Sequence, residues 1–387
     1  MKIAVYGASG YQGRLVLTEL ARRDIETVLA GRNLARLEEA AAAAGLPDAE
    51  RRVADTGDHE ALVNAFHGCD GVINCAGPFT SSGEAVVRAA IAAGCHYVDT
   101  SGEQLYVKKI FDTFTTEAEN AGVTVVPATN DGCVPVDLMA HILADRLESV
   151  EEIVTTHVVV GGGMSRGSLR SLVATTDAIK AGGMTYHDGD WRPGMPARHT
   201  AITLPGQSEA TPVMAFPVSE VVTIPRHIRV RHVQGLTEAA LGAQLNTPLT
   251  PEIIQSLPEG PDEDSRRTQH FTYVLDATST DGRRARGIVQ GPDTYGITAV
   301  IAVESARRLI AEPAEPGVLA PAQAYHPTAF LDFLIPHGIQ WIIEDAPATR
   351  QRELSDQRPS GRDDVAPGRT RTSTTVVLPS SSPAWRP

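Results

Sequence analysis

No run in the chain approaches the ~20 consecutive apolar residues that cross a bilayer. Basic charge is also short. Lys and Arg number 34 against 47 Asp and Glu, a formal net charge of -13. A uniform affinity for nucleic acid is excluded on that ground, because phosphate binding needs a basic face. Cysteine is scarce, with only Cys69, Cys75, Cys95 and Cys133. No two form a C-x-x-C pair and no His is spaced around them as a zinc ligand, so no metal site is expected. Reduced thiols in a cytoplasmic protein are the simplest reading. Nor does the start read as a leader, because Gly7, Ser9 and Gly10 break the stretch after Lys2. What the chain does have is length. Its 387 residues leave room for two ordinary domains, each with a core.

The opening "MKIAVYGASGYQGRLVLTELARRD" places Gly7, Gly10 and Gly13 between an apolar, β-branched run and an amphipathic one. The pattern predicts strand, tight turn, helix. G-x-x-G-x-x-G is a relative of the dinucleotide fingerprint. Its first Gly permits the turn, its second lets a pyrophosphate approach the backbone, and its third lets the helix pack on the strand. Backbone N–H groups of Ser9, Gly10, Tyr11, Gln12 and Gly13 then face the anion. The second strand, "IETVLAGRN", ends without the carboxylate that would hold an unsubstituted ribose. It ends on Arg32 and Asn33 instead. An Arg pairs with a 2′-phosphate, so the expected cofactor is NADP(H).

The alternation of strand and helix continues to "VTVVPATN", giving six strands of a doubly wound parallel sheet. Ligands in such sheets bind beyond the carboxyl ends of the strands. Those ends are Gly7 to Gly13, Gly31 to Asn33, Asp55-Thr56, Cys75 to Phe79, Asp99 to Glu103, and Asn130-Asp131. Asp55 is expected near the adenine, and the turn of Ala76, Gly77, Pro78 and Phe79 on the nicotinamide side. Asp99, Glu103 and Asp131 are the candidate proton donors, with caps and turns as their alternative roles. A Y-x-x-x-K pair is absent, and Tyr97 and Lys108 belong to different elements.

Three segments, "YGASGYQGR", "LAGRN" and "INCAGPFTSSGEAVVRAAIAAGCHYVDTSGE", resemble the saccharopine dehydrogenase-like oxidoreductases, and within them the trans-acting enoyl reductases. The likeness covers about residues 1–140 and is weaker in "FPVSEVVTIPRHI" and "GVLAPAQAYHPTAFLDFLIPHGI". One motif departs. After the sixth strand that subgroup often reads G-F-D-S-x-P-x-D, whereas this chain reads Asn130-Asp131-Gly132-Cys133-Val134-Pro135-Val136-Asp137. The resemblance implies a Rossmann NADP-binding domain, a second α+β domain carrying the substrate, and reduction of a C=N or C=C bond.

The expected organisation is therefore α/β. Residues 1–132 form a doubly wound Rossmann domain, 133–345 an α+β substrate or dimerisation domain, and 346–387 a disordered tail of Arg, Ser, Thr, Pro and Asp. In the second domain, "RTQHFTYVLDATSTDGRRARGIVQGPD" reads as a hairpin around Asp281-Gly282. "PRHIRVRH" reads as a strand with Arg229 and Arg231 on one face, open to a carrier protein or to solvent. Three functions remain open: reduction of a small metabolite, reduction of an acyl thioester on a carrier protein, and NADPH binding as a redox sensor without turnover. A homodimer is compatible with a sheet-bearing second domain.

Overall fold

The computed structural model describes residues 1–241, 249–312 and 314–346. Its first part follows the periodicity. β1 (Lys2–Tyr6), α1 (Tyr11–Arg22), β2 (Glu26–Gly31), α2 (Leu34–Ala43), β3 (Glu50–Val53), α3 (His59–Phe66), β4 (Gly71–Asn74), α4 (Phe79–Ala92), β5 (His96–Asp99), α5 (Gln104–Ala121) and β6 (Thr124–Val126) alternate without interruption. All pairings among these strands are parallel. Apart from the charged edge strand β3, their short apolar runs are buried on both faces, as a sheet covered by helices on each side requires; Ile3, Ala4 and Val5 are fully enclosed. Asn33 and Asp58 start α2 and α3 by accepting hydrogen bonds from the Arg36 and Ala61 amides.

α6 (Cys133–Leu147) leads to the second layer. There follow β7 (Glu152–Val160), α7 (Arg166–Ala174), α8 (Thr176–Lys180), β8 (Met184–His187), β9 (Asp190–Pro193), β10 (Ala201–Thr203), β11 (Ala210–Ala215), α9 (Glu220–Thr223), β12 (His232–Glu238), α10 (Pro251–Ser256), α11 (Glu263–Thr268), β13 (His270–Thr278) and β14 (Arg284–Pro292). The chain then runs through α12 (Thr294–Ala311), β15 (Gly317–Val318), α13 (Pro321–Ala324), α14 (Pro327–Leu334) and β16 (Gln340–Ala346). The second sheet has the order β10-β11-β12-β7-β13-β14-β16, with β8 paired to β12 and β9 to β8. β13 and β14 form the hairpin expected around Asp281-Gly282, where Gly282 takes a φ of 87°. α6 packs across β13 and β14. Gly287 permits the approach, since a Cβ there would lie 2.5 Å from Met139 Cγ.

The basic strand expected at Pro225–His232 does not form. Residues 224–226 make a short 3-10 turn, and β12 begins only at His232. Pro225 lacks the N–H that a ladder needs. Arg231 is tied to Asp188 and Glu151 rather than presented to a partner.

The first sheet is completed from far along the chain. β15 pairs in parallel with β6, so the order is β15-β6-β5-β4-β1-β2-β3. α12 packs against α1, β4 and β5. A boundary at residue 132 leaves both elements on its far side. Glu304 of α12 is 2.7 Å from Arg23 of α1 and also accepts from Arg307 and Arg308 at 2.8 and 2.7 Å. Burial alone would raise its pKa; the bonds to Arg307, Arg308 and Arg23 outweigh that and hold it at about 2. One core runs from Val5 and Leu17 through Leu138 and Ile301 to Phe271 and Leu275. Among the described residues, no helix is long and apolar enough to cross a membrane, and no group of three or more His, Cys, Asp or Glu could hold a metal ion. The tail expected at 346–387 lies, after its first residue, outside the described residues.

Candidate active site

A cleft of about 980 Å³ opens at the carboxyl ends of the parallel strands and is closed on its other side by the second layer. Gly7, Ser9, Gly10, Tyr11, Gln12, Arg32, Asn33, Ala76, Gly77, Phe79, Glu103 and Asp131 line it. The second layer contributes His157 and Val159 of β7, residues of α7, Glu220 of α9 and Tyr273 of β13.

The glycine turn is built to the limit of close approach. Gly7 has a φ of 78°, and a Cβ there would come 2.9 Å from the Ala76 nitrogen. A Cβ at Gly13 would come 2.3 Å from the Gly7 carbonyl oxygen. Gly13 does not line the cleft; it seats α1 on the turn. The first amides of α1 have no helical acceptor and suit an anion. Tyr11 and Gln12 also reach the second layer, donating to the Pro261 and Tyr295 carbonyls at 2.6 and 3.1 Å. At the end of β2, Arg32 is exposed and has no ion-pair partner among the described residues. No carboxylate lies between Gly31 and Asn33. This cradle, with a free guanidinium beside it, fits a dinucleotide bearing a 2′-phosphate. Asp55 is not in the cleft wall; its carboxylate accepts from the Gly57 amide at 2.9 Å. Pro78 is likewise outside the lining and precedes α4.

Two of the three candidate proton donors are each held by four hydrogen-bond donors of the protein. Asp99 is fully buried away from the cleft. Its Oδ1 accepts from the Ala128 and Ser101 amides at 2.9 and 3.0 Å, and its Oδ2 from Tyr106 and Tyr97 hydroxyls at 2.8 and 3.1 Å. Burial pushes it up to about 6 even with four donors around it. It joins the ends of β5 and β6 and is not among the residues that line the cleft. Glu103 lines the cleft, but its oxygens are committed. They accept from the Phe79 and Thr80 amides at 2.8 and 2.6 Å, from Ser171 Oγ at 2.6 Å, and from Thr80 Oγ1. Glu103 therefore caps α4 from another element. Tyr97 and Lys108 are not brought together either. Tyr97 is buried with Asp99, and Lys108 pairs with Asp112.

Asp131 is different. It faces the cleft, and the Tyr273 hydroxyl donates to its Oδ2 while Thr298 Oγ1 donates to its Oδ1 at 2.9 Å. Withdrawal of the carboxyl from water raises its pKa, and the bonds from Tyr273 and Thr298 oppose the rise only in part. The Tyr273 ring lies against His157, with centroids 4.2 Å apart. His157 Nε2 is 2.7 Å from Glu220 Oε1, and that oxygen accepts a hydrogen bond from Thr155 Oγ1 at 2.9 Å. Asp131, Tyr273, His157 and Glu220 thus form a chain of contacting polar side chains in the wall of the cleft. Sequence reading finds only its first member. Tyr273 sits in "HFTYVLD", an alternation that reads as ordinary core.

A parallel sheet with a glycine-rich first turn, facing a mixed sheet across one cleft, defines a two-layer dinucleotide-binding protein. Comparison with known proteins shows what each part of the chain is similar to. Residues 3–126 match the saccharopine dehydrogenase NADP binding domain, so the first layer is an NADP(H)-binding domain of that type. A lipid droplet localized protein of Caenorhabditis elegans is 32% identical over 151 residues, which are 36% of this chain and 35% of that protein. A putative trans-acting enoyl reductase of Mycobacterium tuberculosis is 31% identical over 180 residues, 44% and 43% of the two chains. The alignments thus span less than half of these relatives. Saccharopine dehydrogenase (L-Glu forming) of Saccharomyces cerevisiae shares the fold, with a TM-score of 0.56 at 15% identity over 89% of this chain and 99% of that one.

Proposed function

We propose that the protein is an NADP(H)-dependent oxidoreductase that adds hydride and a proton across a polarised C=N or C=C bond, with the second layer holding the substrate. NADPH, when bound, supplies the hydride. The observation that supports this reading is the Asp131–Tyr273 pair, set in the same cleft as the glycine turn. Raising the pKa of Asp131 favours its protonated form. A protonated Asp131 donates to the phenol oxygen, which frees the Tyr273 proton for the substrate atom that gains charge. The proton delivered is then replaced from Asp131. His157 fixes the Tyr273 ring, and the two layers exclude water from the reacting atoms. A panel of cyclic imines and enoyl thioesters, followed by NADPH consumption, tests the proposal. A protein that binds NADPH and consumes it with neither class would overturn it.

The rim of the cleft favours the thioester class. Leu105, Val159 and Met164 line the cleft and are each 47% exposed. They offer exposed apolar surface suited to an acyl chain. This agrees with a relative described as a trans-acting enoyl reductase. A carrier protein would approach that rim rather than Arg229 and Arg231, neither of which lines the cleft. A reducing, cytoplasmic setting fits the four unpaired cysteines.

A further inference from the structure

Residues 257–262 cross the start of α1 as a strap from the second layer. Contacts to backbone carbonyls seat it. Tyr11 donates its hydroxyl to the Pro261 carbonyl at 2.6 Å. The Arg166 amide reaches the Glu259 carbonyl at 3.0 Å, and Arg166 Nε reaches the Leu257 carbonyl at 2.6 Å. Gly260 lies against the Tyr11 ring, where a Cβ would come 2.4 Å from Cδ2. The strap carries one thing more. Its Glu259 carboxylate bridges two guanidiniums of the first layer, Arg14 through Oε2 and Arg36 through Oε1 at 2.9 Å. Both arginines also approach the Ser9 carbonyl in the glycine turn, at 2.9 and 3.4 Å. Arg14 above all holds the Glu259 carboxyl below its ordinary pKa.

This bridge stands where the cofactor's adenosine end must come. Arg32 and Arg36 flank Asn33, the cap of α2, and all three line the cleft with Glu259. The end of β2 is the ribose position in this class of sheet. A 2′-phosphate there presents up to two negative charges and several acceptor oxygens, which two guanidinium forks satisfy better than one. Arg32 is unpaired among the described residues. Arg36 is the second cation in reach, and an anion already sits on it.

We propose that Arg36 is the second ligand of the cofactor's 2′-phosphate and that Glu259 is a resident anion which this phosphate displaces. The same guanidinium then serves two anions in turn. A phosphorylated dinucleotide takes Arg36 from the carboxylate of the strap and leaves it on Arg14 alone, and an unphosphorylated one leaves both contacts in place. The inference rests on the NADP(H) assignment of the first layer and adds to it the residues that distinguish the two dinucleotides.

The test is a titration of the purified full-length protein with NADPH and NADH by fluorescence, and with 2′,5′-ADP and 5′-ADP by calorimetry. The variants are Arg36→Gln, Glu259→Gln and the two together. Arg36→Gln weakens NADPH and 2′,5′-ADP about tenfold, as loss of a charge-assisted contact predicts, and leaves NADH and 5′-ADP unchanged. Glu259→Gln tightens NADPH and 2′,5′-ADP about threefold, the scale of a partly exposed ion pair, again without effect on the unphosphorylated ligands. In the Arg36→Gln background the Glu259 change has no effect. Equal weakening of NADPH and NADH by Glu259→Gln, or no change in either, overturns the displacement and makes Glu259 a clamp. Equal weakening of both by Arg36→Gln overturns its phosphate role. Should thermal melting show Arg36→Gln to be misfolded, Arg36→Lys, which keeps the charge without the fork, gives the same NADPH-over-NADH readout. Wild-type protein that bound neither dinucleotide would instead remove the cofactor assignment itself.

Discussion

Tyr273 donates its hydroxyl to Asp131 across the cleft, although 142 positions separate them in the chain. One comes from the turn between β6 of the parallel sheet and α6, the other from β13 in the middle of the mixed sheet. The contact exists only when both layers are in place.

Removing either partner should stop proton delivery while leaving the cofactor seated. Tyr273→Phe and Asp131→Asn are expected to lower kcat by about a hundredfold or more. NADPH affinity, measured by fluorescence, should stay near the wild-type value. Full turnover in both variants would send the search for the donor elsewhere.

Gly13→Ala puts a methyl group where only 2.3 Å separates it from the Gly7 carbonyl oxygen. Either the turn opens or α1 moves. NADPH binding is expected to weaken about ten- to a hundredfold, the range of overpacking penalties. A titration checks the loss, and a melting curve shows whether the damage stays local.

Glu103→Gln separates a cap from a catalytic acid. Gln cannot accept at both positions, so α4 loses donors' partners in a buried place. Stability should fall by about 1–3 kcal/mol, read from denaturant unfolding. Turnover per folded molecule should hold. An inactive variant of normal stability would restore Glu103 as a proton donor.

Glu304 gives the molecule an acid-sensitive joint between α12 and α1. Its pKa in the folded protein is about 2 against an ordinary 4.5. A lowered carboxylate binds fewer protons folded than unfolded, so stability rises with pH across that interval. The contribution is complete above 4.5 and is lost as pH falls towards 2. It amounts to about 3 kcal/mol. Unfolding measured at a series of pH values should show this slope in wild type and lack it in Glu304→Gln.

The parallel sheet was legible because each of its signals is local. Gly7, Gly10 and Gly13 announce a turn within seven residues, and Arg32 declares its preference by standing where an acid is absent. The acids after the strands were harder. Asp99 and Glu103 follow the same kind of strand end as Asp131, and whether such a side chain points into the cleft or back into the protein depends on donors elsewhere in the chain. Tyr106, Ala128, Thr80 and Ser171 supply those donors. Tyr273, Glu220 and Glu259 had no local signature at all. Their roles arise from strand pairing and from a strap crossing another layer, which periodicity does not encode.

The late strand β15 also sets a clock. Thr124 at the start of β6 bonds to the Ala314 carbonyl, 190 positions further on. At ordinary translation rates those residues take roughly 10–40 s to emerge. Until then a nascent chain holds β6 as an open edge, a template for unwanted pairing. The cofactor layer begins with β1 but is finished only by β15, after strands β7 to β14 of the second layer have been made. A chaperone or the bound dinucleotide itself has that interval in which to guard it.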